Sequence, residues 1–176
     1  GAFSITGGSV KLIRCQITNT AADAAARAFT VATTSGGALY NCRLKATTTA
    51  TEVVALNTGG FVYGCHIIGG DIGLNLSSAG TEGAYCVIEG FGTSGVRMGA
   101  TSSSNVLINS TVYAAATNAV VIAGTNVSFI LIANNILGGC TNGVNNTSGA
   151  NLITPSLYRN HFYNITNEYV GLTELA

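Results

Sequence analysis

The residues best equipped for chemistry stand beside four cysteines. Arg43 follows Cys42 and His66 follows Cys65, while Lys45 and Glu89 stand three places after Cys42 and Cys86. A guanidinium, an ammonium and an imidazole beside one carboxylate would contact an anionic group or the hydroxyls of a saccharide. The adjacency of Cys65 and His66 invites a thiol–imidazole reading. Neighbouring residues of a strand point to opposite faces, however, so Cys65 would face the interior and His66 the outside. The bland reading of the four charges is a solvated face.

Other chemistry lacks its parts. Glycoside hydrolysis needs two carboxylates across one cleft. The acids are Asp23, Glu52, Asp71, Glu82, Glu89, Glu168 and Glu174, with no Asp-Asp pair and no column of paired acids. A calcium site wants about six oxygens from clustered acids, which the pattern does not offer. There is no G-x-S-x-G, no C-x-x-C and no Cys/His cluster at ligand spacing. The expectation is therefore no cofactor, no metal and no catalytic residue, with Arg43, Lys45, His66 and Glu89 as a saccharide-contact patch.

The elements that position these residues are repeats. Cysteines at 15, 42, 65 and 86 are spaced 27, 23 and 21 apart in matching units, I-R-C-Q-I, Y-N-C-R-L, Y-G-C-H-I and A-Y-C-V-I. The series reads on with Asn109, Asn134 and Asn160 in the Cys place. A second column follows each unit as apolar, any, apolar: Phe29–Val31, Val54–Leu56, Ile72–Leu74, Val96–Met98, Val120–Ile122, Val144–Asn146 and Val170–Leu172. Period two is the mark of a strand with one buried face. Short strands recurring every 20 to 27 residues, with no room for crossover helices, must coil on themselves. The reading is all-β, a parallel β-helix of about seven coils. Coils stacked about 4.8 Å apart would make a rod about 30–35 Å long. Asp23–Arg27 is the best helical candidate, a turn or two at most.

The Cys column reads first as a reduced, buried ladder; disulfides between neighbouring coils and a metal site are the alternatives. The Asn positions read as an amide ladder bonding along the stack. Sequons at Asn75, Asn109, Asn126, Asn145, Asn146 and Asn164 follow from composition, and several fall where the fold needs Asn inside. In the later coils the expected outward columns are Ser110, Asn135, His161 and Val112, Leu137, Tyr163, an apolar stripe suited to packing against something.

Composition narrows the partners. The 176 residues carry 7 Lys+Arg against 7 Asp+Glu, for zero formal net charge. That gives no basic surface for nucleic acid or an anionic membrane. No apolar run approaches the roughly 18 residues of a membrane span. No Thr column persists across coils, so a flat ice-binding ladder is not indicated. The chain begins Gly1-Ala2-Phe3 without Met, and neither end reads as a cap. Residues 1–176 are thus expected to be a single β-helix module of a longer chain or assembly.

The I-x-N/C-C/N-x-I units (Tyr40–Leu44, Ala133–Ile136) and the G-[IV]-x-[LM] units (Gly95–Met98, Asp71–Leu74) resemble the right-handed parallel β-helix of the pectin lyase-like superfamily, over about residues 8 to 172. That superfamily includes polysaccharide lyases, glycoside hydrolases, pectin methylesterases, virus tailspikes and other appendages. The resemblance therefore implies the fold and leaves the activity open. Missing acid pairs, low charge and uncapped ends favour a structural or adhesive module at a virion surface or in the extracellular space. Such a module is expected to be a homo-oligomer, trimeric, or joined to other structural subunits, with polysaccharide a possible ligand. The alternative is a lyase or glycoside hydrolase acting on acidic polysaccharide.

Overall fold

A computed structural model describes residues 3–5, 8–31, 36–47, 49–56, 59–76, 78–99, 104–124, 129–148 and 156–172. Asn126 and Glu174 lie outside them, as do residues 1–2 and 173–176 at the two ends. Every element among the described residues is a strand, and every pairing is parallel. A first sheet stacks Phe3–Ile5, Phe29–Val31, Glu52–Leu56, Ile72–Leu76, Ser94–Met98, Asn118–Ile122, Asn142–Asn146 and Asn167–Val170. A second stacks Val10–Ile13, Gly37–Tyr40, Gly60–Tyr63, Thr81–Ala84, Ser104–Ile108, Phe129–Ala133 and Ser156–Tyr158. A third stacks Gln16–Asn19, Arg43–Ala46, His66–Ile68, Val87–Glu89, Thr111–Tyr113, Ile136–Gly138 and His161–Tyr163. Each strand pairs with its equivalent one repeat later, so the rest of the coil serves as the crossover that parallel strands require. The seven sequence units form a β-solenoid of about six turns.

The core is built of like-on-like columns. Leu44, Ile67, Ile88, Val112 and Leu137 stack in register on the third sheet, all fully buried. Val54, Leu74, Val96, Val120 and Val144 do the same on the first. Two expected positions are therefore displaced. Leu74, not Ile72, is the partner of Val54, and Tyr169, not Val170, continues the column below Val144. Ile72 instead shares a column with Glu52 and Ser94. The first slip is two residues within one phase, because Ile72, Leu74 and Leu76 are all apolar; the second is one residue, because the neighbours Tyr169 and Val170 are apolar in both phases, so alternation alone does not choose the register.

The glycine at the second position of the first-sheet strands has a steric cause at Gly73 and Gly143. A Cβ on Gly73 would lie 2.5 Å from Ile88 Cγ2, and one on Gly143 would lie 2.5 Å from Phe162 Cε1. Here the first sheet passes so close to the third that only hydrogen fits.

Between the second and third sheets the chain turns a tight corner. Seven residues there have left-handed backbone: Arg14, Asn41, Gly64, Tyr85, Asn109, Asn134 and Arg159, with φ between 51° and 63°. The residue after each points inward, giving the column Cys15, Cys42, Cys65, Cys86, Ser110, Asn135, Asn160. The expected series is thus right at the four cysteines and at Asn160, and one residue early at Asn109 and Asn134. Those two occupy the corner itself, where Asn tolerates positive φ. Asp23–Arg27 is a turn rather than a helix, with Ala26 N–H bonded to Asp23 O at 2.9 Å and Ala25 N–H to Asp23 Oδ1 at 2.9 Å.

Backbone accounting explains the composition of this inward column. At the corners between the first and the last, the left-handed residue and the first strand residue donate to carbonyls of neighbouring turns, as in Asn109 N–H to Ala133 O at 3.1 Å and Ile136 N–H to Ser110 O at 2.9 Å. At Cys42, Cys86, Ser110 and Asn135 the N–H between them donates to a side chain of the following turn. Cys42 N–H reaches Cys65 Sγ at 3.4 Å, and Cys86 N–H reaches Ser110 Oγ at 3.1 Å. Ser110 N–H reaches Asn135 Oδ1 at 2.9 Å, and Asn135 N–H reaches Asn160 Oδ1 at 3.1 Å. Cys, Ser and Asn are short residues that bring an acceptor to a buried amide needing a partner.

Candidate functional site

The four residues singled out by sequence share one outward face of the third sheet. Arg43 and His66 are register partners on adjacent strands, as are Lys45 and Ile68, then Ile68 and Glu89. His66 Nε2 lies 2.8 Å from Glu89 Oε1, with side-chain exposures of 38% and 47%. Arg43 and Lys45 are exposed and stand on the turn before His66. The arrangement is an open surface with two cations flanking a His–carboxylate pair. It can hold an anionic or hydroxyl-rich group by charge-assisted hydrogen bonds. Its imidazole and carboxylate are bonded to each other in solvent, a poor setting for acid–base chemistry, which needs a positioned and partly desolvated group.

The remaining carboxylates are dispersed or engaged. Glu52, on the first sheet, is 6% exposed; it accepts from Arg27 Nε at 2.6 Å and from Asn75 Nδ2 at 2.7 Å. Asp71 accepts from the Thr93 hydroxyl. Glu82 is on the second sheet and Glu89 on the third. Among the described residues, no three His, Cys, Asp or Glu side chains come together to hold a metal ion.

All five thiols are free. Burial pushes the Cys65 thiol from 9.0 up to about 12 and the Cys86 thiol up to about 11, and it raises Cys140 as well. The reactive form of a thiol is the thiolate, which burial disfavours at these three positions. These cysteines are structural donors and acceptors: Cys42, Cys65 and Cys86 Sγ each bond the carbonyl two residues back, at 3.3, 3.4 and 3.3 Å.

The anticipated apolar stripe of the later coils exists, with His161 and Tyr163 outward as expected and the other four positions one residue further on. Ser110, Val112, Asn135 and Leu137 are buried. The outward positions there are Thr111, Ile136, His161 and Tyr113, Gly138, Tyr163. Tyr113 is 49%, Ile136 50% and Tyr163 61% exposed. The correction is the one-residue shift at Asn109 and Asn134, because a single step exchanges the faces of a strand.

A larger apolar surface covers the outside of the second sheet. Its outward columns are Lys11, Ala38, Phe61, Glu82, Val106, Leu131, Ser156 and Ile13, Tyr40, Tyr63, Ala84, Ile108, Ala133, Tyr158. Tyr40 and Phe61 rings lie 5.6 Å apart, Phe61 and Tyr63 5.9 Å, and Tyr63 and the corner residue Tyr85 5.0 Å. Lys11 Nζ sits 4.7 Å above the Tyr40 ring. A shallow open groove runs beside them, lined by Gly36, Gly59, Gly80, Phe61, Lys11 and Glu82. The signal was in the sequence: these columns are the residues two and four places before the inward corner residue.

No family model, no curated protein and no solved structure matches this chain.

Proposed function

We propose that the chain is a structural and adhesive module of the right-handed, pectin lyase-like kind of β-helix, carried on a virus-particle appendage or another extracellular surface protein. The observation that carries this reading is the contrast between a chemically inert interior and a contact-rich exterior. Inside, thiols and amides satisfy backbone groups; outside, an aromatic and aliphatic face covers one sheet and a cationic patch marks the next. Exposed apolar faces of this extent mark interaction surfaces. The module works with copies of itself or with other structural subunits, and its polar patch touches polysaccharide.

The test combines binding and turnover on a panel of neutral and acidic polysaccharides. Retention without product supports the reading. Release of new reducing ends or of unsaturated uronates would replace it with the second reading, a lyase or glycoside hydrolase. That alternative draws its support from Arg43, Lys45 and His66, which suit an acidic glycan. In either case, changing Arg43 and His66 together to Ala should weaken glycan retention, and unchanged retention would remove the patch from the proposal.

A further inference from the structure

We infer that the outer face of the second sheet pairs two copies of this chain about a two-fold axis. The axis runs parallel to the strands and passes between Gly37–Tyr40 and Gly60–Tyr63. Three features of the face lead there. First, its outward positions carry only two charges, Lys11 and Glu82. They are opposite in sign and stand in one column, three strand steps apart, a separation of about 14 Å. Neither forms an ion pair within the chain among the described residues. Second, a two-fold interface brings each patch against itself, so a patch must be self-complementary under that rotation. An axis midway between the second and third strands sets Lys11 of each copy against Glu82 of the other, twice. Third, the same rotation sets Tyr40 against Tyr63 of the second copy, and the small Ala38 against the large Phe61. At the corner it brings Arg14 beside Tyr85, a cation near an aromatic ring.

Other arrangements do not use these features. A three-fold axis along the solenoid sets each turn beside the same turn of its neighbour, which leaves Lys11 and Glu82 on different levels. A two-fold axis along the solenoid also matches level with level. Charge pairs of this kind fix register and orientation, while Ala38, Tyr40, Phe61 and Tyr63 on the four overlapping strands supply the buried apolar area.

The pairing is independent of whether the third sheet binds glycan, so the two ideas fail separately. The experiment measures the mass of the full chain in solution by sedimentation, over a dilution series. Wild type is expected to be a dimer. Lys11→Glu alone and Glu82→Lys alone each set like charges face to face twice, and each should weaken association at least tenfold. The double variant restores opposite charges and should restore the dimer, yet it should not pair with wild type when the two are mixed. Circular dichroism and melting of each variant check that the outward substitutions leave the solenoid folded. A monomeric or trimeric wild type, single variants that still dimerise, or a double variant that stays monomeric would each overturn the inference.

Discussion

Asn134 and Asn135 are adjacent, chemically identical and oppositely placed, which makes them the sharpest test of the corner. Asn135 is 1% exposed, accepts from Ser110 N–H at 2.9 Å and donates to Leu107 O at 3.0 Å. Asn135→Ala strands that amide and that carbonyl in the interior and leaves a small void. A buried group without a partner costs about 1–3 kcal/mol. An amide donor is the more expensive of the two, because a carbonyl has a second lone pair, so the sum comes to about 3 kcal/mol. Asn134 is exposed and has φ 57°. Glycine adopts that conformation without strain, so Asn134→Gly should change stability by no more than about 0.5 kcal/mol. Asn135→Ser should recover about half the loss, since Ser110 in the same column serves Cys86 N–H through its hydroxyl at 3.1 Å. Urea unfolding followed by circular dichroism, with the slopes compared as well as the midpoints, reads all three. Equal losses at 134 and 135, or a larger loss at 134, would refute the assignment of one side-chain acceptor per corner.

Three further outcomes follow from the packing and the buried groups. Gly73→Ala places a methyl against Ile88 Cγ2 and should cost about 1–3 kcal/mol in the same urea experiment; a neutral result would show that the first and third sheets can part there. Cys65 and Cys86 should resist a thiol reagent at pH 8 in the folded protein and react fully in urea. Their folded values lie near 12 and 11 against an ordinary 9.0, so the folded state holds its protons more tightly. The sign follows: this stability is fully present below about pH 9 and is lost as pH rises towards 11 and 12. A pH titration of stability that stays flat through that window would contradict it. Glu52→Ala removes an acceptor from both Arg27 and Asn75, and because Arg27 keeps 31% side-chain exposure the loss should stay near 1–2 kcal/mol, measured by the shift of the urea midpoint.

The repeat and its coiling were legible because two columns of similar spacing ran through the whole chain, and a buried strand face cannot hide its period. The four-residue patch was legible for the same reason: Cys42, Cys65 and Cys86 marked the inward phase, and Arg43, Lys45, His66 and Glu89 followed by alternation. Register failed where that marker changed its chemistry. At I-N-S-T and A-N-N-I the Asn before the inward residue looks like a member of the column. Only the left-handed φ of Asn109 and Asn134 separates the two roles. Tyr85 and Arg159 occupy the same corner position as Asn41 and Gly64, so residue type alone does not reveal it. The aromatic face is less legible because Tyr40, Phe61 and Tyr63 precede their cysteines, on a strand separated from the charged one by the left-handed corner. A second amide ladder was missed as well: Asn142 Nδ2 donates to Asn118 Oδ1 and Asn167 Nδ2 to Asn142 Oδ1, both at 3.0 Å. Its members open strands of the first sheet, where Glu52, Ile72 and Ser94 hold the same column in earlier turns. A column that changes from acid to aliphatic to hydroxyl to amide presents no motif.

The bonds from corner amides to column side chains point one way along the rod, and that gives the molecule a direction of assembly. Each turn carries the acceptor for the amide of the turn before it, and waits for the next to supply its own. During synthesis a newly emerged coil therefore completes its predecessor as it docks, and the newest coil is always the unfinished one. The unit that can be gained or lost without orphaning an amide is a whole turn bearing Cys, Ser or Asn at its corner. Rods of this design can change length in whole turns, while a partial turn leaves the amide of its predecessor without an acceptor.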